Sequence, residues 1–181
     1  MTSRTNGQPP DPVDVIASQW RRERPDIDVS ALAVFGRLHR TYLRYAALIG
    51  EVFDSHEINM ASFDVLAALR RSGPPFRRTA GDLASTGLVT TGGLTLRLDR
   101  LEAAGLITRE RDTADRRVVY AQLTEAGLAL IDQVAVEHFD NEMRMLAGLS
   151  DTERRQLAAL LGRLDHALQR AAQAQPGARH D

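Results

Sequence analysis

A chain of 181 residues with 43% apolar side chains is long enough for one domain with a true core, or for such a domain with helical extensions. It has no cysteine, which excludes disulfides, thiolate metal sites and thiol-based redox sensing. The formal net charge of −1 is unevenly spread: residues 70–117 hold ten arginines against six acids, so a basic stretch sits within an otherwise acidic chain and offers phosphate a local field.

All 23 basic residues are arginine, a coding bias more than a mechanism. The polar, proline-containing start lacks the apolar core of a signal peptide, and no run reaches membrane-spanning length. The expectation is a cytoplasmic protein with no membrane contact.

In chain order, Asp11 as N-cap, Pro12 at the first helical position and Asp14 in the first turn predict a short helix ended by Pro25, with Val13, Ile16, Ala17 and Trp20 sharing a face. A long helix from about Ser30 to Phe53 carries Leu32, Phe35, Leu38, Tyr42, Leu48, Ile49 and Val52 on a broad apolar face. Asn59 caps a third helix bearing Phe63, Val65, Leu66 and Leu69, closed by Gly73, Pro74 and Pro75. Thr79 then starts a short helix with Asp82 in its first turn and Gly87 at its end. Thr90 or Thr91 caps the next, which runs to Gly105, so the pair has helix-turn-helix proportions.

Leu94, Leu98 and Leu101 form one apolar stripe on the second helix of that pair, and Gly105 is placed to close it in a left-handed cap. From Leu106, two short β-type runs flank the segment Asp112 to Arg117, so an arginine-tipped hairpin projects beside the helix. A helix with a basic hairpin beside it is how a winged helix reads DNA. Thr124 caps a further helix reaching Gly148. Ser150 and Glu153 form a capping box for the last helix, whose Leu157, Leu160, Leu161, Leu164 and Leu168 make a seam.

The fold class expected is mainly α with a small β-hairpin wing: a winged helix-turn-helix with a helical dimerisation region. Residues 1–29 form an N-terminal extension with an extra helix, 30–58 and 124–172 the dimerisation region, 59–123 the DNA-binding lobe and 173–181 a disordered tail. The first two helices and the leucine seam hold more apolar surface than a winged helix of this size buries. A homodimer with closed two-fold symmetry would cover it and present two recognition helices to a palindromic site on double-stranded DNA.

The residues expected to meet DNA are Thr79, Thr90, Thr91, Gly92, Gly93, Thr95, Leu96 and Arg100, with Arg116 and Arg117 at the wing tip suited to a narrow minor groove. Asp115 is placed to orient one of the wing arginines. The five histidines show no close ligand spacing, and no nucleophile motif, phosphate-cradling glycine loop or carboxylate pair is present. No metal, cofactor or catalytic residue is expected.

The helix-turn-helix, then Leu98-Asp99-Arg100-Leu101-Glu102 with Gly105-Leu106-Ile107 following, then Asp112, Asp115, Arg116 and Arg117, then Leu123-Thr124-Glu125 with Gly127, together resemble the MarR family of dimeric winged-helix transcription regulators. The resemblance implies a homodimer with interlocking terminal helices and a ligand pocket between the dimer region and the DNA-binding lobe. Against that family, Leu96 departs from the polar residue usual at its place, which leaves the base preference there open; a thymine methyl is one apolar partner.

Trp20 in an extra first helix, the run Arg24 to Asp28 and the run Phe63 to Pro75 resemble the urate-responsive branch of that family. There a tryptophan, an aspartate and two arginines define the effector site, and the matching positions here are Trp20, Asp64, Arg97 and Arg109. On the residues alone, Arg97 lies about 60° from the centre of the leucine stripe. Arg109 shares a strand face with Ile107. Asp64 is the natural counter-ion of both in the empty protein. A small planar anion would suit the two guanidinium groups, with Trp20 as a stacking wall.

The function expected is thus a repressor released from its operator by a small anionic effector such as urate or a related purine. A winged helix serving as an enzyme's dimerisation module, and a constitutive DNA-binding protein without effector, are the alternatives.

Overall fold

The structure is a computed structural model describing residues 10–85 and 93–174. Ten elements follow in order: α1 (Pro12–Glu23), α2 (Leu32–Asp54), α3 (Met60–Arg71), β1 (Arg77–Thr79), α4 (Ala80–Ser85), α5 (Leu94–Ala103), β2 (Ile107–Arg111), β3 (Val119–Leu123), α6 (Glu125–Met145) and α7 (Asp151–Gln173). They form two compact units, one through Ile131 and one from Asp132 onward, with α6 running from the first into the second.

Local capping starts α1, α3, α4, α6 and α7 where the sequence predicts, while α2 begins at Leu32 behind Ala31 without a side-chain cap. Asp11 accepts the Val13 N–H, Asn59 accepts that of Ser62, and the Thr124 hydroxyl accepts that of Gly127. Thr79 accepts the Asp82 N–H and so opens α4. The capping box of Ser150 and Glu153 is present at the head of α7. The expected cap at Thr90 or Thr91 and the stop at Gly87 lie outside the described residues, as do residues 175–181 of the expected tail. The described part of α5 begins at Leu94, with Gly93 in the left-handed region before it. Gly105, also left-handed, closes the helix, with its N–H donated to the Glu102 carbonyl.

In the first unit, α1 lies on α2 through Val13 and Ala17. Gly36 makes the approach possible, since a Cβ there would press within 2.9 Å of the Val13 side chain. Arg37 ties the same helices together through Asp11 and Asp14 at 3.1 and 2.9 Å. Ile16 and Trp20, expected on the same face, remain 41% and 47% exposed. Val13 and Ala17 carry the contact with α2, so the buried line of α1 passes to one side of Ile16 and Trp20.

The core centres on α3, whose Val65, Leu66 and Leu69 are fully buried, with the Phe63 ring 4.9 Å from that of Phe53 on α2. Leu83 of α4, the three leucines of α5, Ile107 and the Ala121 and Leu123 pair of β3 complete it.

The wing is more than a hairpin. Three antiparallel strands lie in the order β1-β3-β2, with Arg77 opposite Gln122 and Ile107 opposite Leu123. β1, which no sequence pattern marked, is held by pairing to β3, and its Arg77 stacks 3.9 Å over the Tyr120 ring while reaching Glu110 at 3.0 Å.

After β3 the chain turns tightly into α6. The Thr124 hydroxyl donates to the Gly105 carbonyl at 2.7 Å and its N–H to that of Leu106 at 3.1 Å, and any Cβ on Gly127 would fall onto the Leu106 carbonyl oxygen. The Leu-Thr-Glu-Ala-Gly run is therefore a joint between wing and α6. Helix α6 stops at Met145, short of the expected Gly148, in a turn whose carbonyls at Leu146 and Leu149 accept from the Arg154 guanidinium. In the second unit, α7 buries none of its residues.

Candidate functional site

The buried leucines of α5 fix its rotation: Leu94, Leu98 and Leu101 are 6%, 3% and 2% exposed. Thr95, Leu96, Asp99 and Arg100 consequently lie on the exposed side, as expected, and Arg97 is half-buried at the margin. Gly93 is exposed in front of the helix. Thr90, Thr91 and Gly92 lie outside the described residues. Thr79 is half-buried, and its hydroxyl oxygen is already used as the cap of α4, which leaves its proton to donate.

The wing turn is built by its aspartates. Asp112 accepts from the backbone N–H groups of Ala114 and Asp115 at 2.8 and 2.9 Å, and Asp115 accepts from that of Arg117 at 3.0 Å. These backbone bonds, that from Asp115 foremost, hold the Asp112 carboxyl below the ordinary carboxylate range. Asp115 thus orients the backbone of Arg117, and Arg116 and Arg117 stand exposed at the tip. The aspartates shape the turn and the arginines carry the charge outward.

Of the expected effector residues, Arg109 is where the structure adds most. Its guanidinium lies 2.7 Å from Asp99 and 2.6 Å from Glu102, both on α5, and its backbone N–H also reaches Glu102 at 3.1 Å. The bonds from Arg109 draw the Glu102 carboxyl below its usual range, and those to Glu102 and then Asp99 raise Arg109 further.

Arg109 therefore has α5 acids as counter-ions where the sequence reading put Asp64. The cause is topological: Gly105 reverses the chain at once, so the third residue of β2 comes back alongside the last turn of α5. Glu102 was absent from the expected site; its only sequence signal is an acid seven residues ahead of Arg109 across Gly105, and the bond itself follows from how the chain turns there. Asp64 sits half-buried on α3, and Trp20 is on the exposed side of α1. Asp64 and Arg97 each make further interactions. Among the described residues no group of acids and histidines could hold a metal, and no helix is long and apolar enough to cross a membrane.

A short helix and a second helix that turns Thr95, Leu96, Asp99 and Arg100 outward, flanked by a three-stranded sheet with an arginine-tipped turn, define a winged-helix DNA-binding protein. The profile of the MarR family matches residues 56–118, which run from ahead of α3 to the turn of the wing, just before β3. The transcriptional regulator PecS of Dickeya dadantii is 41% identical over 153 residues, covering 84% of this chain and 92% of its own. The chain belongs to the MarR family of transcription regulators.

Among solved structures, Bordetella bronchiseptica BpsR, described for regulation of its DNA binding by 6-hydroxynicotinic acid, superposes with a TM-score of 0.66 at 27% identity, covering 74% of this chain and 98% of its own. A mutant of MarR from E. coli complexed with operator DNA superposes with a TM-score of 0.65 at 28% identity, covering 76% of this chain and 99% of its own. The protein is a DNA-binding regulator and not an enzyme, so the reading as an enzyme's dimerisation module falls away.

Proposed function

We propose that this regulator is a homodimeric repressor, seated on a palindromic operator through α5 and the wing, and released by a small planar anion such as urate or a related purine. In this reading residues 30–58 and 124–172 make the dimer and residues 59–123 meet DNA. Thr79, Thr90, Thr91, Gly92, Gly93, Thr95, Leu96, Arg100, Arg116 and Arg117 form the DNA face, and Trp20, Asp64, Arg97 and Arg109 the effector site.

The observation that carries it is the sharing of Arg109 between two carboxylates of α5, one of which, Asp99, lies on the side of the helix turned outward. A bidentate anion competing for Arg109 takes a counter-ion from that helix and leaves a free negative charge near the phosphates. Coupling of about 1 to 3 kcal/mol between the two sites changes operator affinity some 5- to 150-fold. Regulation of BpsR by a flat heterocyclic acid supports an effector of this shape, and Trp20 offers a ring for stacking.

The test is operator release against added urate, with xanthine and citrate as competitors, at fixed salt. Arg97→Ala and Arg109→Ala are expected to keep DNA binding in some measure and to lose the response to ligand. If none of the three anions binds the parent protein, or if the arginine variants respond as the parent does, the effector assignment is wrong while the DNA-binding class stands.

A further inference from the structure

Leu96 is 53% exposed on α5, and it is the one large apolar side chain among the described residues from 49 to 135 left exposed. The other exposed apolar residues lie on or beside α1 and α2, or on α6 and α7. Leu96 thus stands outside every apolar stretch that a second copy of the chain could cover. At 100° per residue it sits about 170° from the centre of the buried stripe, so it marks the middle of the outward face. Its neighbours on that face are Thr95, Arg100 and Asp99, and Asp99 is engaged by Arg109.

We propose that Leu96 is a specificity-determining residue that reads the C5-methyl of one thymine in each half of the operator. The proposal rests on the reading of α5 as the recognition helix. Leu96 is the third residue of that helix as described, and the N-terminal residues of a recognition helix are the ones that reach base edges in the major groove. The major-groove edges of the bases are polar except for the thymine methyl. A leucine in that position gains only where it removes a methyl from water, and Arg100, one turn further on the same side, supplies the polar contact to phosphate or guanine.

The experiment uses the full chain and a duplex that it selects from a random-sequence library, in which each thymine is replaced singly by deoxyuridine, removing the methyl and nothing else. One position per half-site is expected where the parent protein loses roughly three- to fivefold in affinity. At that position Leu96→Ala binds the thymine and uracil duplexes alike, while Leu96→Val keeps part of the discrimination. The salt slope of Leu96→Ala stays that of the parent, since no phosphate contact is lost.

Equal uracil profiles in the parent and in Leu96→Ala, with both variants melting as the parent does, overturn the role of Leu96 and leave α5 as the recognition helix. Selection of no duplex at all overturns the underlying reading as well, and the two failures are therefore distinguishable.

Discussion

Helices α5 and α7 carry leucines at the same kind of spacing and meet opposite fates. Leu94, Leu98 and Leu101 of α5 are at most 6% exposed, whereas Leu157, Leu160, Leu161 and Leu168 of α7 are between 43% and 58% exposed. Periodicity states which face of a helix is apolar; it does not state what covers that face. For α5 the cover is α3 and the sheet of the same chain. The leucines of α7 are the reason for proposing a second copy.

The largest effect expected breaks this contrast from the side of α7. Leu157→Asp combined with Leu161→Asp puts four carboxylates into the proposed dimer contact, and each leucine lost forfeits about 1.5 to 3 kcal/mol of burial. Dimerisation is expected to weaken by at least about a thousandfold, read by light scattering across a dilution series. A dimer that persists at parental strength means that the interface lies elsewhere. Operator binding is expected to weaken in parallel, because a monomer presents one recognition helix to a two-fold site.

Next come substitutions inside the first unit, where the same chemistry is already covered. Leu101→Ala removes a residue only 2% exposed and is expected to cost about 2 to 5 kcal/mol in urea unfolding. Gly127→Ala is expected to cost about 3 kcal/mol, since its Cβ meets backbone that Thr124 already holds in place. Leu168→Ala on α7, measured below the dimerisation concentration, is expected to cost less than either. Equal losses for Leu101→Ala and Leu168→Ala would mean that α7 is covered within its own chain.

The same division separates what was legible in the sequence from what was not. Asp11, Asn59, Thr79, Thr124 and Ser150 begin their helices as predicted because a cap is a bond across two or three residues, visible in a short string. The left-handed Gly105 was legible for the same reason.

Strand β1 was not: Arg77, Arg78 and Thr79 have no strand signature, and they are extended because Tyr120, Ala121 and Gln122 pair with them from more than forty positions away. The partners of Arg109 were missed for a related reason. Asp64 was the plausible acid by type, and Glu102 and Asp99 are the acids that the chain reversal places beside it. The wing was legible as a pattern, and its internal bonds needed the fold.

Within the basic stretch, the expected effects are smaller and concern affinity. Arg116→Ala or Arg117→Ala at the exposed tip should weaken binding to all sequences similarly and lower the salt slope by roughly one charge per lost phosphate contact in each subunit. Arg109, occupied by carboxylates, should contribute little to that slope directly. An unchanged slope in both tip variants removes the wing from the DNA face.

The smallest effect expected concerns Asp112, which tests whether the wing turn is ordered before DNA arrives. Backbone N–H groups of Asp115 and Ala114 hold its carboxyl below the ordinary carboxylate range in the folded protein. A depressed carboxylate favours the folded turn fully above its unfolded pKa, and that contribution is lost as pH falls through the lower, folded value. Between pH 8 and 5 the group therefore stays charged in both states, and the turn should show no pH dependence from this source. Asp112→Asn keeps the side-chain oxygen and removes the charge, so it should raise amide exchange at Ala114 and Asp115 modestly, with the core amides of α3 unchanged. If those two amides already exchange freely in the parent protein at neutral pH, the turn is not pre-ordered, and the wing arginines pay their ordering entropy on the DNA instead.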